Sequence, residues 1–135
     1  MVGWQAQTIP GVHMKILIVD DSVVMRRIMI NTLSQSGVQE IEQAADGAEG
    51  VSKVLEDNFD IVLMDYNMPN LNGMDAVRQI RSMGSRVPII MVTTEAEKDR
   101  IVEALKAGAD NYIVKPFSPR IILSKIRSVI GNRAA

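Results

Sequence analysis

Four short apolar runs punctuate the chain, and each ends in polar residues of a different chemical kind. Lys15-Ile-Leu-Ile-Val19 leads into Asp20-Asp21, Asp60-Ile-Val-Leu-Met64 into Asp65, Pro88-Ile-Ile-Met-Val92 into Thr93-Thr94, and Asn111-Tyr-Ile-Val114 into Lys115-Pro116. Such short runs, rich in β-branched residues, read as buried strands, and longer stretches of helical period lie between them. This alternation predicts repeated βα units around a mostly parallel sheet. The predicted strands are Lys15 to Val19, Glu40 to Ala44, Ile61 to Met64, Ile89 to Val92 and Asn111 to Val114.

Five helices fill the intervals. The first follows Asp21-Ser22, either of which can cap it, and is expected to turn Val24, Ile28, Leu33 and their neighbours toward the core before Gly37 ends it. The second runs from Asp46-Gly47 to about Glu56, and the third starts after Asn72-Gly73, with Met74, Val77 and Ile80 on one face, and stops near Gly84. The fourth is expected from about Glu95 to Ala107, with Gly108 as its C-cap. The fifth begins at Ser118-Pro119, a cap followed by proline at the first helical position, and buries Ile122, Ile126 and Val129. Residues 1–13 show neither helical nor alternating period and read as an N-terminal extension, disordered or vector-derived, with Met14 as the natural start of a single domain over residues 14–135.

Length and composition narrow the function classes. A chain of 135 residues fits one domain with a sizeable core. Fifteen basic against sixteen acidic residues give a net charge of −1, which offers no electrostatic footprint for nucleic acid. Cysteine is absent, so disulfides, thiolate nucleophiles and cysteine-ligated metals are excluded. The apolar runs fall far short of the ~20 residues needed to span a bilayer, so a cytoplasmic protein without membrane insertion is expected.

If the runs are neighbouring parallel strands, their carboxyl ends line one edge of the sheet, where open α/β folds bind ligands. Asp20, Asp21 and Asp65 would then crowd together. Two like charges about 4 Å apart repel by ~4 kcal/mol at an effective dielectric of about 20, a large share of a folding stability of ~5–15 kcal/mol. A cation must sit among them. With no cysteine and a single histidine, His13, in the extension, the ligands are oxygens, which suit Mg²⁺. Magnesium takes one or two carboxylates and commonly completes its shell with phosphate. Lys115 and Thr93 add an ammonium and a hydroxyl for the oxygens of a phosphoryl group in transfer. Asp65, at the end of the most apolar run and before the Asn67-Met68-Pro69 turn, is the carboxylate placed to accept it as an aspartyl-phosphate.

These motifs together resemble the receiver domain of bacterial two-component signalling, in particular the stand-alone chemotaxis response regulators of CheY type. The residues that carry the resemblance are Val19-Asp20-Asp21-Ser22, Met64-Asp65-Tyr66-Asn67-Met68-Pro69 with Gly73, Val92-Thr93-Thr94-Glu95-Ala96, and Ala107-Gly108-Ala109 through Tyr112 to Lys115-Pro116-Phe117. The resemblance implies a flavodoxin-like, doubly wound sheet of strand order 2-1-3-4-5. It implies Asp65 as phosphoacceptor for a histidine kinase. Asp21 and Asp65 become direct Mg²⁺ ligands with the main-chain carbonyl of Asn67, and Asp20 a ligand through water. Thr93 and Lys115 would contact the phosphoryl group, and the Lys115-Pro116 bond would be cis. Tyr112 corresponds to the aromatic that moves inward with the threonine. The switched face would comprise the fourth helix, fifth strand and fifth helix, here Lys98, Ile101, Tyr112, Val114 and Lys125, read by the flagellar motor switch. Asn67, Thr94 and Glu95 occupy positions that tune acyl-phosphate lifetime, and Thr94 is bulkier than is common there. A monomer is implied, catalysing only its own phosphorylation and dephosphorylation, with a phosphatase as a further class of partner.

Simpler readings exist for each residue taken alone. Asp20-Asp21 and Thr93-Thr94 suit helix caps, Lys115 a surface turn, and Tyr112 a half-buried strand aromatic. The methionines fill core gaps. Arg26-Arg27 reads as a solvated face of the first helix in preference to a docking site. Among other functions, a phosphorelay intermediate serving a histidine phosphotransfer protein shares the same chemistry. A haloacid dehalogenase-type hydrolase would need Asp-x-Asp after the first strand, and a nucleotide switch would need a Gly-rich phosphate loop. A transcription factor would need an effector domain.

Overall fold

The computed structural model describes residues 13–134. Within them five parallel strands form one sheet in the order β2-β1-β3-β4-β5, with β1 Lys15–Val19, β2 Glu40–Ala44, β3 Ile61–Asp65, β4 Ile89–Thr93 and β5 Asn111–Val114. The helices are α1 Val23–Gln35, α2 Gly47–Glu56, α3 Gly73–Ser82, α4 Ile101–Ala107 and α5 Pro119–Ala134. The predicted order and pairing hold. All but one residue of the proposed N-terminal extension, His13, lie outside the described residues. Among those described, no helix is long and apolar enough to cross a membrane.

Side-chain alternation along the strands divides the core in two. Leu17, Val19, Val62, Met64, Ile89 and Met91 face one side, where they pack with Val51 of α2, Val77 and Ile80 of α3 and Ala104 of α4. Ile16, Ile18, Ile61, Leu63, Ile90, Val92 and Ile113 face the other, against Met29 and Leu33 of α1 and Ile122, Ile126 and Val129 of α5. Because both faces of the sheet are covered, β3 and β4 are buried along their whole length, which explains their unbroken apolar runs. Strand β2 lies at an edge and carries Glu40, Glu42 and Gln43, charge and polarity that discourage further pairing.

Two expectations need correction. Val24 and Ile28 do not face the core: they are 68% and 49% exposed, and α1 buries Leu33 as expected together with Met29, with Met25 and Ile30 beside them. Apolar residues surround this helix, so its sequence leaves the buried stripe ambiguous, and packing against β1 and α5 selects it. The expected fourth helix is also divided. Glu95–Arg100 forms a 3₁₀ segment and only Ile101–Ala107 is α-helical. The 3₁₀ stretch is almost wholly polar, and short 3₁₀ turns commonly begin helices. Gly108 ends α4 as expected, with φ 123°.

Candidate functional site

Strands β3 and β4 each run one residue further than predicted, so Asp65 and Thr93 are the last residues of the sheet itself rather than the first of a loop. Asp20 follows β1 directly, and its N–H still donates to the Ala44 carbonyl at 3.1 Å, extending the ladder past the strand end. Lys115 follows β5, with its N–H donating to the Thr93 carbonyl at 2.7 Å and a cis bond to Pro116. Four rigid strand ends thus deliver the four side chains to one edge.

Gly73, at the first turn of α3, closes the floor of the site. Its N–H donates to the Tyr66 carbonyl at 2.8 Å, and a Cβ built on it would sit 2.1 Å from the Asp65 carbonyl oxygen. Only glycine allows the helix to approach the acceptor strand so closely. Asn72 caps that helix by accepting the Asp75 N–H at 2.9 Å.

The three predicted carboxylates meet. Asp20, Asp21 and Asp65 each offer an oxygen within 4.8 Å of the others, the one such acidic or histidine group among the described residues. Asp20 and Asp65 are 1% and 4% exposed, whereas Asp21 stands in solvent. The Lys115 ammonium lies 2.9 Å from Asp65 Oδ1 and 3.3 Å from Asp20 Oδ2, bridging the buried pair. One ammonium against three carboxylates still leaves an excess of negative charge.

Burial is the largest influence on the Asp65 carboxyl and raises its pKa. The Lys115 hydrogen bond opposes that effect, the Asp20 charge reinforces it, and the carboxyl is pushed up to about 6. Lys115 shows the converse balance. Burial is its largest influence and disfavours the ammonium, but the hydrogen bond and charge of Asp65, together with Asp20, outweigh it and raise its pKa above the ordinary lysine value. Near neutral pH the Asp65 carboxylate and the Lys115 ammonium therefore face each other as an ion pair, and a hard divalent cation fits an oxygen-only set with excess negative charge.

The remaining predicted residues occupy the rim and one side. Thr93 is 1% exposed, with its hydroxyl donating to the Ile113 carbonyl at 3.5 Å. Thr94 precedes the 3₁₀ segment and is exposed. Its N–H donates to Glu97 at 2.9 Å, and the Glu97 N–H returns to the Thr94 carbonyl at 3.0 Å. Glu97 was not singled out from sequence, although Thr94-x-x-Glu97 is the signature of a capping box. The Glu95 side chain lies outside the described residues. Asn67 is exposed on the loop leaving β3, and Lys98 is exposed on the 3₁₀ segment, while Ile101, Val114 and Tyr112 are half-buried. Tyr112 packs beside Met91 on one face of the sheet, and the Lys125 ammonium lies 4.5 Å from its ring centroid.

Arg26 departs from its sequence reading. It is half-buried and tethered: its guanidinium donates from Nη1 to the Asp20 carbonyl at 2.6 Å and from Nε to Gln43 Oε1 at 3.0 Å. Arg27 is exposed as expected.

Comparison with known proteins agrees with this arrangement. The response regulator receiver domain family matches residues 16–127. The chain is 47% identical over 123 residues to the chemotaxis protein CheY1 of Helicobacter pylori, covering 88% of this chain and 98% of that one. It is 42% identical over 122 residues to a CheY homologue of Campylobacter jejuni, covering 88% and 94%. Among solved structures, Vibrio cholerae CheY4 superposes with a TM-score of 0.79 at 36% identity, covering 87% of this chain and 99% of that one. The receiver domain of the Pseudomonas aeruginosa sensor histidine kinase PA1611, solved with a magnesium ion in its active-site cleft, superposes with a TM-score of 0.80 at 31% identity, covering 89% and 99%. A matching profile over most of the chain, relatives of nearly equal length and the strand order 2-1-3-4-5 converge on one conclusion: the chain belongs to the response regulator receiver domain family, and within it to the CheY-like regulators of two-component signalling.

Proposed function

We propose that this receiver is a phosphorylation-driven switch whose acceptor is Asp65. The carrying observation is the Lys115 ammonium bridging Asp65 and Asp20 beside Asp21 on the carboxyl edge of the sheet. Asp20, Asp21 and Asp65, with the Asn67 carbonyl, would hold Mg²⁺. When bound, that ion supplies positive charge against the oxygens of the phosphoryl group. The magnesium in the cleft of the PA1611 receiver domain supports this choice of ion.

The phosphoryl donor is a phosphohistidine of a kinase. A carboxylate oxygen of Asp65 forms the new P–O bond as the P–N bond breaks, and the departing imidazole takes up a proton from solvent. The Lys115 ammonium, released from its present pairing with the free carboxylate, follows the charge onto the phosphoryl oxygens, and the Thr93 hydroxyl donates to another. Thr93 ends β4, and moving it shifts the segment that opens α4, so the change is felt at Tyr112 on β5 and along the face formed by Lys98, Ile101, Val114 and Lys125. The chemotaxis relatives support the flagellar motor switch as the reader of that face over a phosphotransfer protein. Asn67, Thr94 and Glu95, at the rim, would set the lifetime of the acyl phosphate.

The test is to incubate the protein with acetyl phosphate, with and without Mg²⁺, and to weigh it intact beside Asp65→Asn. Gain of one base-labile phosphoryl group requiring both Mg²⁺ and Asp65 is expected. Modification that persists in Asp65→Asn would refute the acceptor assignment. If no modification accumulates, failure of the wild type to form a Mg²⁺-dependent beryllium fluoride complex would remove phosphoryl chemistry altogether.

A further inference from the structure

We propose that Arg26 is a positioning residue of the metal and phosphoryl site, and that Gln43 on the edge strand orients it. The side chain of Arg26 closes a ring through three elements. From α1 it donates to the Asp20 carbonyl at 2.6 Å and to Gln43 Oε1 at 3.0 Å, while the neighbour of Gln43, Ala44, accepts the Asp20 N–H at 3.1 Å. The backbone N–H of Arg26 also closes the first turn of α1 on the Ser22 carbonyl at 3.0 Å. One residue therefore ties down both sides of the Asp20-Asp21-Ser22 loop.

Asp20 is the most constrained residue of the cluster. Its N–H is held by Ala44, its carbonyl by Arg26, its Oδ1 by the Ser22 N–H at 2.8 Å and its Oδ2 by Lys115 at 3.3 Å. The peptide between Asp20 and Asp21 is planar, so fixing the Asp20 carbonyl also fixes the direction in which Asp21 leaves the strand. This matters because Asp21 is exposed and like-charge repulsion from Asp20 and Asp65 drives it outward. A planar guanidinium with donors on two sides suits this bridge, and a lysine ammonium can reproduce only one arm of it.

The metal readout of this inference rests on the acceptor-site reading above, and the exchange readout does not. Mg²⁺ binding by the full chain would be followed by calorimetry, and amide exchange in the metal-free chain by NMR, for Arg26→Ala, Arg26→Lys, Gln43→Ala and Arg27→Ala. Groups that orient metal ligands typically change affinity by about 10-fold or more, so Arg26→Ala should weaken Mg²⁺ by roughly that factor, with part restored in Arg26→Lys. Gln43→Ala should give a smaller loss, about 3-fold, because the charge and the Asp20 contact remain. Arg27→Ala, which removes the same charge from an exposed position, should bind as the wild type does.

If Arg26 acted only as a charge, its removal from an acidic cluster would tighten Mg²⁺ binding, so equal or tighter binding by Arg26→Ala overturns the proposal. In the exchange experiment the Asp20 and Ser22 amides should open faster in Arg26→Ala while Met29, deep in α1, keeps its protection. Unchanged exchange at Asp20 and Ser22 overturns the proposal as well. A wild type that binds no Mg²⁺ refutes the acceptor-site reading instead, and exchange then decides the role of Arg26 alone.

Discussion

Replacing Asp65 by asparagine should make the metal-free protein more stable near neutral pH. Burial raises this carboxyl from 3.8 to about 6, so its ionised form is disfavoured in the folded state relative to the unfolded chain. Its favourable contribution is thus fully present below about pH 4 and is lost as the pH rises through about 6. A shift of about two units is equivalent to roughly 3 kcal/mol. That shift already contains the opposing Lys115 ammonium, and solvent screening beside the exposed Asp21 reduces it to about 1–2 kcal/mol. Asparagine keeps an oxygen for the Lys115 hydrogen bond but carries no charge. Urea unfolding in EDTA, followed by circular dichroism, should place Asp65→Asn about 1–2 kcal/mol above the wild type near pH 7.5, with the gap shrinking toward about pH 5. Adding Mg²⁺ should stabilise the wild type by mass action and the asparagine variant much less. An asparagine variant no more stable than the wild type near pH 7.5, or a gap that widens on acidification, would refute the placement of a strained, ionised Asp65 against Asp20.

Lys115→Ala should remove the ammonium that bridges Asp20 and Asp65, destabilising the metal-free protein by about 1–3 kcal/mol in urea titrations. It should still accept phosphate but lose phosphorylation-dependent target binding, measured by pull-down with beryllium fluoride present. Gly73→Ala should cost about 2–4 kcal/mol, because the added methyl would sit 2.1 Å from the Asp65 carbonyl; unfolding within about 0.5 kcal/mol of wild type would contradict that packing. Asp21→Ala, at an exposed position, should leave urea stability within about 0.5 kcal/mol in EDTA and weaken Mg²⁺ about 10-fold or more by calorimetry.

Most of the architecture was legible along the chain because period and punctuation agreed. Four of the five strands were short apolar runs, each helix had a cap or a terminating glycine, and the four strand ends carried their chemistry at the boundary where the pattern changes. Asp20, Asp21, Asp65 and Lys115 could be placed on one edge from that order alone, once the sheet was taken as parallel. Where the pattern was degenerate, it failed. Helix α1 is apolar nearly all round, so Val24 and Ile28 looked as eligible for the core as Met29, and only packing against the sheet and α5 decided between them.

The residue types and their spacing by themselves determined the fold class and the acidic cluster, with the hard, oxygen-bound cation that such a cluster suits, because these follow from local periodicity and from which atoms can bind which ions. Tertiary structure alone decided which cation neutralises which carboxylate, how far burial shifts Asp65, and that Arg26 turns inward while Arg27 stays in solvent. Those features depend on distances between groups as far apart in sequence as Asp20 and Lys115. A linear pattern carries no measure of such distances, and the packing of helices on the two faces of the sheet supplies it.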